Sequence, residues 1–113
     1  MQTAPADMAG LEAKASQAAR LLELMANERR LLILCQLAAH GEMSVTALNR
    51  VVDLSQSALS QHLSRLREDG LVAFRREAQT LHYRLADQRA ARLLVTLKDI
   101  FCPEIDPSYA SKE

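Results

Sequence analysis

The chain has 113 residues, 49% of them hydrophobic and only 4% aromatic, with 14 basic and 14 acidic side chains. That length predicts one domain, large enough to bury a core yet small enough to gain from a partner subunit. Zero net charge removes gross charge as a reason to bind nucleic acid, and the wealth of Ala, Leu, Arg, Glu and Gln favours helices.

Residues 1–10 carry Pro, Gly and small polar side chains and are expected to form a flexible N-terminus. They lack a basic stretch followed by an apolar run, so no signal peptide is expected. No segment approaches bilayer-spanning length, and the predicted compartment is the cytoplasm, with no membrane partner. The domain proper is expected over residues 11–102. Leu11, Ala15, Ala18, Leu22 and Met25 recur at helical spacing and predict a first helix with that face inward. Asn27 is a good N-cap for a second helix with Leu31, Leu34, Cys35 and Ala38 as its apolar stripe, ended by His40-Gly41. Ser44 caps a third, running to about Val52, with Val45, Leu48 and Val51 inward.

Ser55 caps a fourth helix, with Leu59, Leu63 and Leu66 inward and Gly70 as its stop. Two short helices joined by a tight turn make a helix-turn-helix. After Gly70 the period changes to alternation: Val72 and Phe74 inward, Ala73 and Arg75 outward, then Leu81, Tyr83 and Leu85 on a returning strand. The intervening turn lacks Asn-Gly or Asp-Gly, which leaves its type open. Asp87 starts a last helix with Leu93, Leu94, Leu97, Ile100 and Phe101 apolar, and Pro103 ends it at Cys102. Residues 103–113 are expected to be a flexible acidic tail. The predicted fold is mainly α with a small β-hairpin: a winged helix-turn-helix in the order α-α-α-α-β-β-α.

The fourth helix carries its own functional hint. Opposite the leucines lie Gln56, Ser57, Ser60 and Gln61, with Ser64 near the same face. Gln can pair bidentately with adenine and Ser with several bases, and the N-terminal residues of such a helix reach base edges. Gln56, Ser57, Ser60 and Gln61 are therefore the expected base readers. Ser55, His62 and Arg65 suit phosphate, which positions without reading sequence. Arg75, Arg76 and Gln79 on the wing suit backbone or minor groove. Any solvated helix can show a Ser/Gln face, and a lone surface His is usually idle; the hairpin that follows tips the reading toward double-stranded DNA. From Asn49 to Arg84 six arginines face four acids, a modest local excess of positive charge.

The segments ANERRLLILCQL, LSQSALSQHLSRLREDGLV and RREAQTLHYRL resemble the ArsR family of winged-helix regulators, over roughly Ala19 to Cys102. Within it the chain is most similar to the metal-independent dithiol branch (HlyU/BigR/SqrR/YgaV-like). The resemblance implies a homodimer built from the first and last helices and acting on a pseudo-palindromic operator. It also implies a Cys35–Cys102 dithiol switch that answers reactive sulfur species or oxidants by lowering operator affinity, with repression or anti-silencing as the output. Metal-sensing relatives carry Cys-x-Cys in the DNA-reading unit or Asp/His ligands on the last helix. The third helix here has no Cys, His or Asp and the last has no His, so no metal and no cofactor are expected.

Read from the residues alone, Cys35 among leucines is a small buried hydrophobe, and Cys102 beside Pro103 is the more exposed attacking thiol. The helix C-terminus argues against a lowered pKa there. Competing readings are a metal-responsive repressor, a regulator with passive cysteines, and a protein-interaction module that binds no DNA. His40, His62 and His82 fall on separate elements without nucleophile–base spacing, so an enzyme is not expected.

Overall fold

The computed structural model describes residues 5–102. The elements run α1 (Pro5–Met25), α2 (Glu28–His40), β1 (Glu42–Ser44), α3 (Val45–Val51), α4 (Gln56–Glu68), β2 (Val72–Glu77), β3 (Thr80–Leu85) and α5 (Gln88–Phe101). The order is the winged helix-turn-helix expected from the sequence, with one strand added.

The helix starts follow from capping chemistry. The first amides of a helix lack intrahelical acceptors, and a preceding Asn, Ser or Asp supplies one. Asn27 accepts from the Arg30 amide at 3.1 Å, Ser44 Oγ from Ala47 at 3.0 Å and Ser55 Oγ from Ala58 at 3.1 Å. Asp87 accepts from Arg89 at 2.9 Å and Ala90 at 3.4 Å. Gly41 follows α2, donating its amide to Leu37. Past α4, Gly70 adopts φ +81°, its amide donating to Arg67 and the Leu71 amide to Leu66. This is a Schellman stop, which needs the left-handed backbone that glycine adopts without steric cost. Leu66 and Leu71, both fully buried, supply its apolar clasp.

The core is a continuous cluster drawn from every element. Ile33, Leu34 and Leu37 of α2 meet Leu48 of α3, Leu59, Leu63 and Leu66 of α4, Val72 and Tyr83 of the sheet, and Ala90 and Leu94 of α5. Leu21 and Met25 bring in the end of α1. Burying one such leucine contributes about 1.5–3 kcal/mol, so this cluster holds the small domain together.

The structure departs from the sequence reading in five places. The helix α1 begins at Pro5, ahead of Leu11; Met1 to Ala4 and the expected tail 103–113 lie outside the described residues. Its predicted inward face is uncovered: Leu11, Ala15, Ala18 and Leu22 are exposed and only Met25 is buried, because α1 extends beyond its own chain's core. On α2 the buried row is Ile33, Leu34 and Leu37, while Cys35 and Ala38 turn to solvent. At the end of α3 the backbone turns extended at Val52, so Val52 enters the core at 3% exposure and Val51 stays out at 50%.

The fifth departure is β1, which makes the hairpin a three-stranded antiparallel sheet in the order β1-β3-β2. Glu42 pairs with Arg84, Met43 with Tyr83 and Ser44 with His82; on the other side Ala73 pairs with Arg84, Phe74 with Tyr83 and Arg75 with His82. Met43, Tyr83 and Val72 are buried on the core-facing side.

Candidate nucleic-acid interface and thiol pair

The reading unit is held from inside the turn. Asn49 Nδ2 of α3 donates to the Leu54 carbonyl at 2.9 Å, one residue before the Ser55 cap of α4. The Leu54 amide donates to Val52 at 2.8 Å. These bonds fix how α4 leaves α3. Asn49 was not singled out from sequence, since an Asn at a helix end looks like any turn residue.

Along α4, Gln56, Ser57, Ser60, Gln61 and Ser64 are all exposed, with Leu59, Leu63 and Leu66 buried behind them. Ser60, Gln61, Ser64, Arg65 and Glu68 line a shallow depression. The four expected base readers thus share one outward surface. Ser55 and Arg65 flank it, and His62 is half-buried to one side. Glu68 also lines the depression, a carboxylate that the sequence reading did not place there. Arg67 leaves this surface, its guanidinium lying 5.0 Å from the centre of the Phe74 ring, which in turn packs on Tyr83 at 5.5 Å. This cation–π stack ties the end of α4 to β2.

The wing turns through Ala78 and Gln79, with Ala78 at φ +57°. Arg76 and Gln79 are exposed on it. Arg75 is engaged elsewhere. Its Nε donates to Glu42 Oε2 at 3.0 Å and Oε1 at 3.2 Å, its Nη2 to Glu42 Oε1 at 3.0 Å, and its Nη1 to Glu77 Oε1 at 3.1 Å. The hydrogen bonds from Arg75 hold the Glu42 carboxyl below the usual range, and the two carboxylates raise Arg75. Nothing in the sequence pairs residues 33 positions apart on separate strands.

Cys35 and Cys102 are both free thiols. Cys35 is exposed and Cys102, the C-cap of α5, is half-buried, the reverse of the expected order. The reason is the rotation of α2, whose buried row passes through Leu34 and Leu37. The exposed residue still has a partly desolvated sulfur: burial first, then the nearby Cys102 thiolate, raises the Cys35 pKa. Cys35 lies on α2 and Cys102 caps α5, two helices that pack against each other. Among the described residues no three His, Cys, Asp or Glu side chains gather as a metal site requires. No helix among them is long and apolar enough to cross a membrane.

The family model for bacterial regulatory proteins of the arsR family matches residues 27–73, from the α2 cap into β2. The chain is 42% identical to the HTH-type transcriptional regulator YgaV of Escherichia coli over 86% of its own length and 98% of that protein. It is 45% identical to the transcriptional activator HlyU of Vibrio cholerae, over 90% of this chain and 94% of that one. The crystal structure of the transcriptional repressor BigR from Xylella fastidiosa superposes with a TM-score of 0.78 at 38% identity, covering 84% of this chain and 96% of the other.

Proposed function

The chain belongs to the arsR family of bacterial regulatory proteins and is a DNA-binding transcriptional regulator, not an enzyme; from that premise we propose a cytoplasmic homodimer whose operator affinity falls when Cys35 and Cys102 are bridged. The observation that carries DNA reading is the exposed Gln56–Ser57–Ser60–Gln61 surface on a helix fixed by the Asn49 turn. Gln56, Ser57, Ser60 and Gln61 read base edges; Ser55, His62, Arg65, Arg76 and Gln79 meet the sugar-phosphate backbone. Two copies paired through α1 and α5 cover the large apolar side chains that those two helices leave bare: Leu11, Leu22, Val95, Ile100 and Phe101. Such a dimer presents two reading helices to half-sites about 34 Å apart on a pseudo-palindromic operator.

The sensing step rests on two free thiols carried by helices that pack against each other, Cys35 on α2 and Cys102 at the end of α5. A persulfide donor RSSH passes its outer sulfur to one cysteine and leaves as RSH. The second cysteine's thiolate then attacks the Sγ of the persulfidated cysteine, closing a disulfide and expelling the outer sulfur as hydrogen sulfide. If both cysteines are first persulfidated, the same attack leaves a trisulfide. Either bridge ties α2, beside the reading unit, to the last helix. Coupling of about 1–3 kcal/mol would lower affinity roughly 5–150-fold. BigR is a repressor and HlyU an activator; release of DNA by the bridge lifts repression in the first mode and ends anti-silencing in the second.

The raised Cys35 pKa favours a second reading in which the cysteines are passive, since less thiolate is present at neutral pH. Titrating promoter DNA with reduced and persulfide-treated protein, with intact mass measured on the same samples, separates the two. A mass gain matching a bridge, together with weaker binding that Cys35→Ser abolishes, supports the switch. Release of DNA by treated Cys35→Ser protein rejects it.

A further inference from the structure

Arg75 occupies the base of the wing. Its row, Arg75–His82–Ser44, is the last that crosses all three strands; beyond it only β2 and β3 continue, from Arg76 to Leu81. From that row the guanidinium reaches over β3 to take Glu42 on β1 with three hydrogen bonds, and Glu77 takes its remaining arm. His82 Nε2 sits 3.6 Å from the same Glu77 oxygen. Planar bidentate pairing has directional stiffness that a point charge lacks. Glu42 also lies two residues before Ser44, whose hydroxyl caps α3. The path from the wing base to the reading unit is thus Arg75, Glu42, Ser44, α3 and the Asn49-locked turn.

We propose that Arg75 is a positioning residue, clamped by Glu42 and Glu77 to set the angle of the wing against the reading helix, and that it does not contact DNA phosphate. The inference rests on DNA binding by this face and departs from a plain reading of wing arginines as phosphate ligands. A phosphate would have to displace two carboxylates that already satisfy the fork. The leverage is geometric: two residues of strand, about 7 Å, run from Arg75 to Glu77 before the Ala78–Gln79 turn, so a tilt of about 10° moves the strand end roughly 1 Å and the turn beyond it further. That shift is enough to miss a backbone contact.

The test is the affinity and salt slope of the dimer on its promoter DNA for wild type, Arg75→Lys, Arg75→Gln, Glu42→Gln and the Arg75→Gln/Glu42→Gln double variant, with thermal melting of each. The clamp predicts that Arg75→Lys and Arg75→Gln lose affinity alike, about three- to tenfold, with no change in slope. It predicts that Glu42→Gln also weakens binding although it removes a negative charge, and that the double variant is no worse than either single. A phosphate contact predicts the opposite. Arg75→Gln would flatten the slope by about two for the dimer, Arg75→Lys would bind nearly as wild type, and Glu42→Gln would bind more tightly. Any of those three results, in protein that melts like wild type, overturns the proposal. Wild type that shows no salt-dependent binding to its promoter overturns the DNA reading beneath it, and the clamp's role with it.

Discussion

At the scale of single residues, the side chains that sequence placed worst are those whose surroundings come from distant parts of the chain. Cys35 sits in an apolar run, yet helix rotation puts it at the surface. Burial and, after it, Cys102, 67 positions away, raise its pKa. Alkylation of Cys35 should therefore reach half its maximal rate above the ordinary thiol range. In Cys102→Ser that midpoint should move down but not back to normal, since burial, the larger cause, remains. Iodoacetamide labelling followed across pH by mass spectrometry measures it; an unmoved midpoint would show that the thiols do not communicate. Ala78 makes a different kind of prediction. A left-handed φ of +57° is costly for a residue with a β-carbon. Relief of about 1–2 kcal/mol of backbone strain, less about 0.5–1 kcal/mol for the extra freedom of the unfolded chain, should leave Ala78→Gly more stable by up to about 1 kcal/mol, raising the urea midpoint without altering m.

At the scale of elements, most of the fold was legible because its punctuation is local. Asn27, Ser44, Ser55 and Asp87 cap the helices that their positions predicted, and Gly70 stops α4. The outward Gln/Ser surface of α4 was legible for the same reason, since the leucine spacing sets which side is left. The strand β1 was not. Three residues carry too little alternation to announce a strand, and its partner β3 begins 36 positions after it ends. Missing β1 also hid Glu42 as the partner of Arg75. The cap of α5 gives a pH-dependent test. The bonds from Arg89, side chain first, and the backbone amides hold the Asp87 carboxyl below the usual carboxylate range. A depressed folded pKa stabilises the protein above the unfolded value, about 3.9, and that contribution is lost as pH falls through the folded value. Asp87→Ala should cost about 1 kcal/mol at neutral pH and less in acid, below the carboxyl's folded pKa, as followed by the thermal midpoint. An equal loss at every pH would show that the ionised carboxylate is not what caps α5.

At the scale of the whole molecule, the exposed apolar side chains concentrate on the two helices at the ends of the chain. Phe101 is 72% exposed and Ile100 61%, with Val95 on the same helix and Leu11 and Leu22 on α1. Phe101→Asp should leave a folded monomer by light scattering, with its far-UV spectrum little changed. Its promoter affinity should fall at least tenfold, because two half-sites are no longer read together. Dimeric Phe101→Asp protein with unaltered affinity would move the pairing surface elsewhere. Sheet order has an outcome of its own. With β3 central, β2 borders solvent and presents a free row of amides and carbonyls, the kind of margin that invites another copy to add a strand. Consecutive arginines at positions 75 and 76 discourage that stacking, as does a ribbon only six residues long. Charge at this rim therefore guards solubility as well as function. Arg75 is already paired with Glu42 and Glu77, so Arg76 carries the protection, and Arg76→Val should self-associate on concentration, seen as rising light scattering at an unchanged melting temperature.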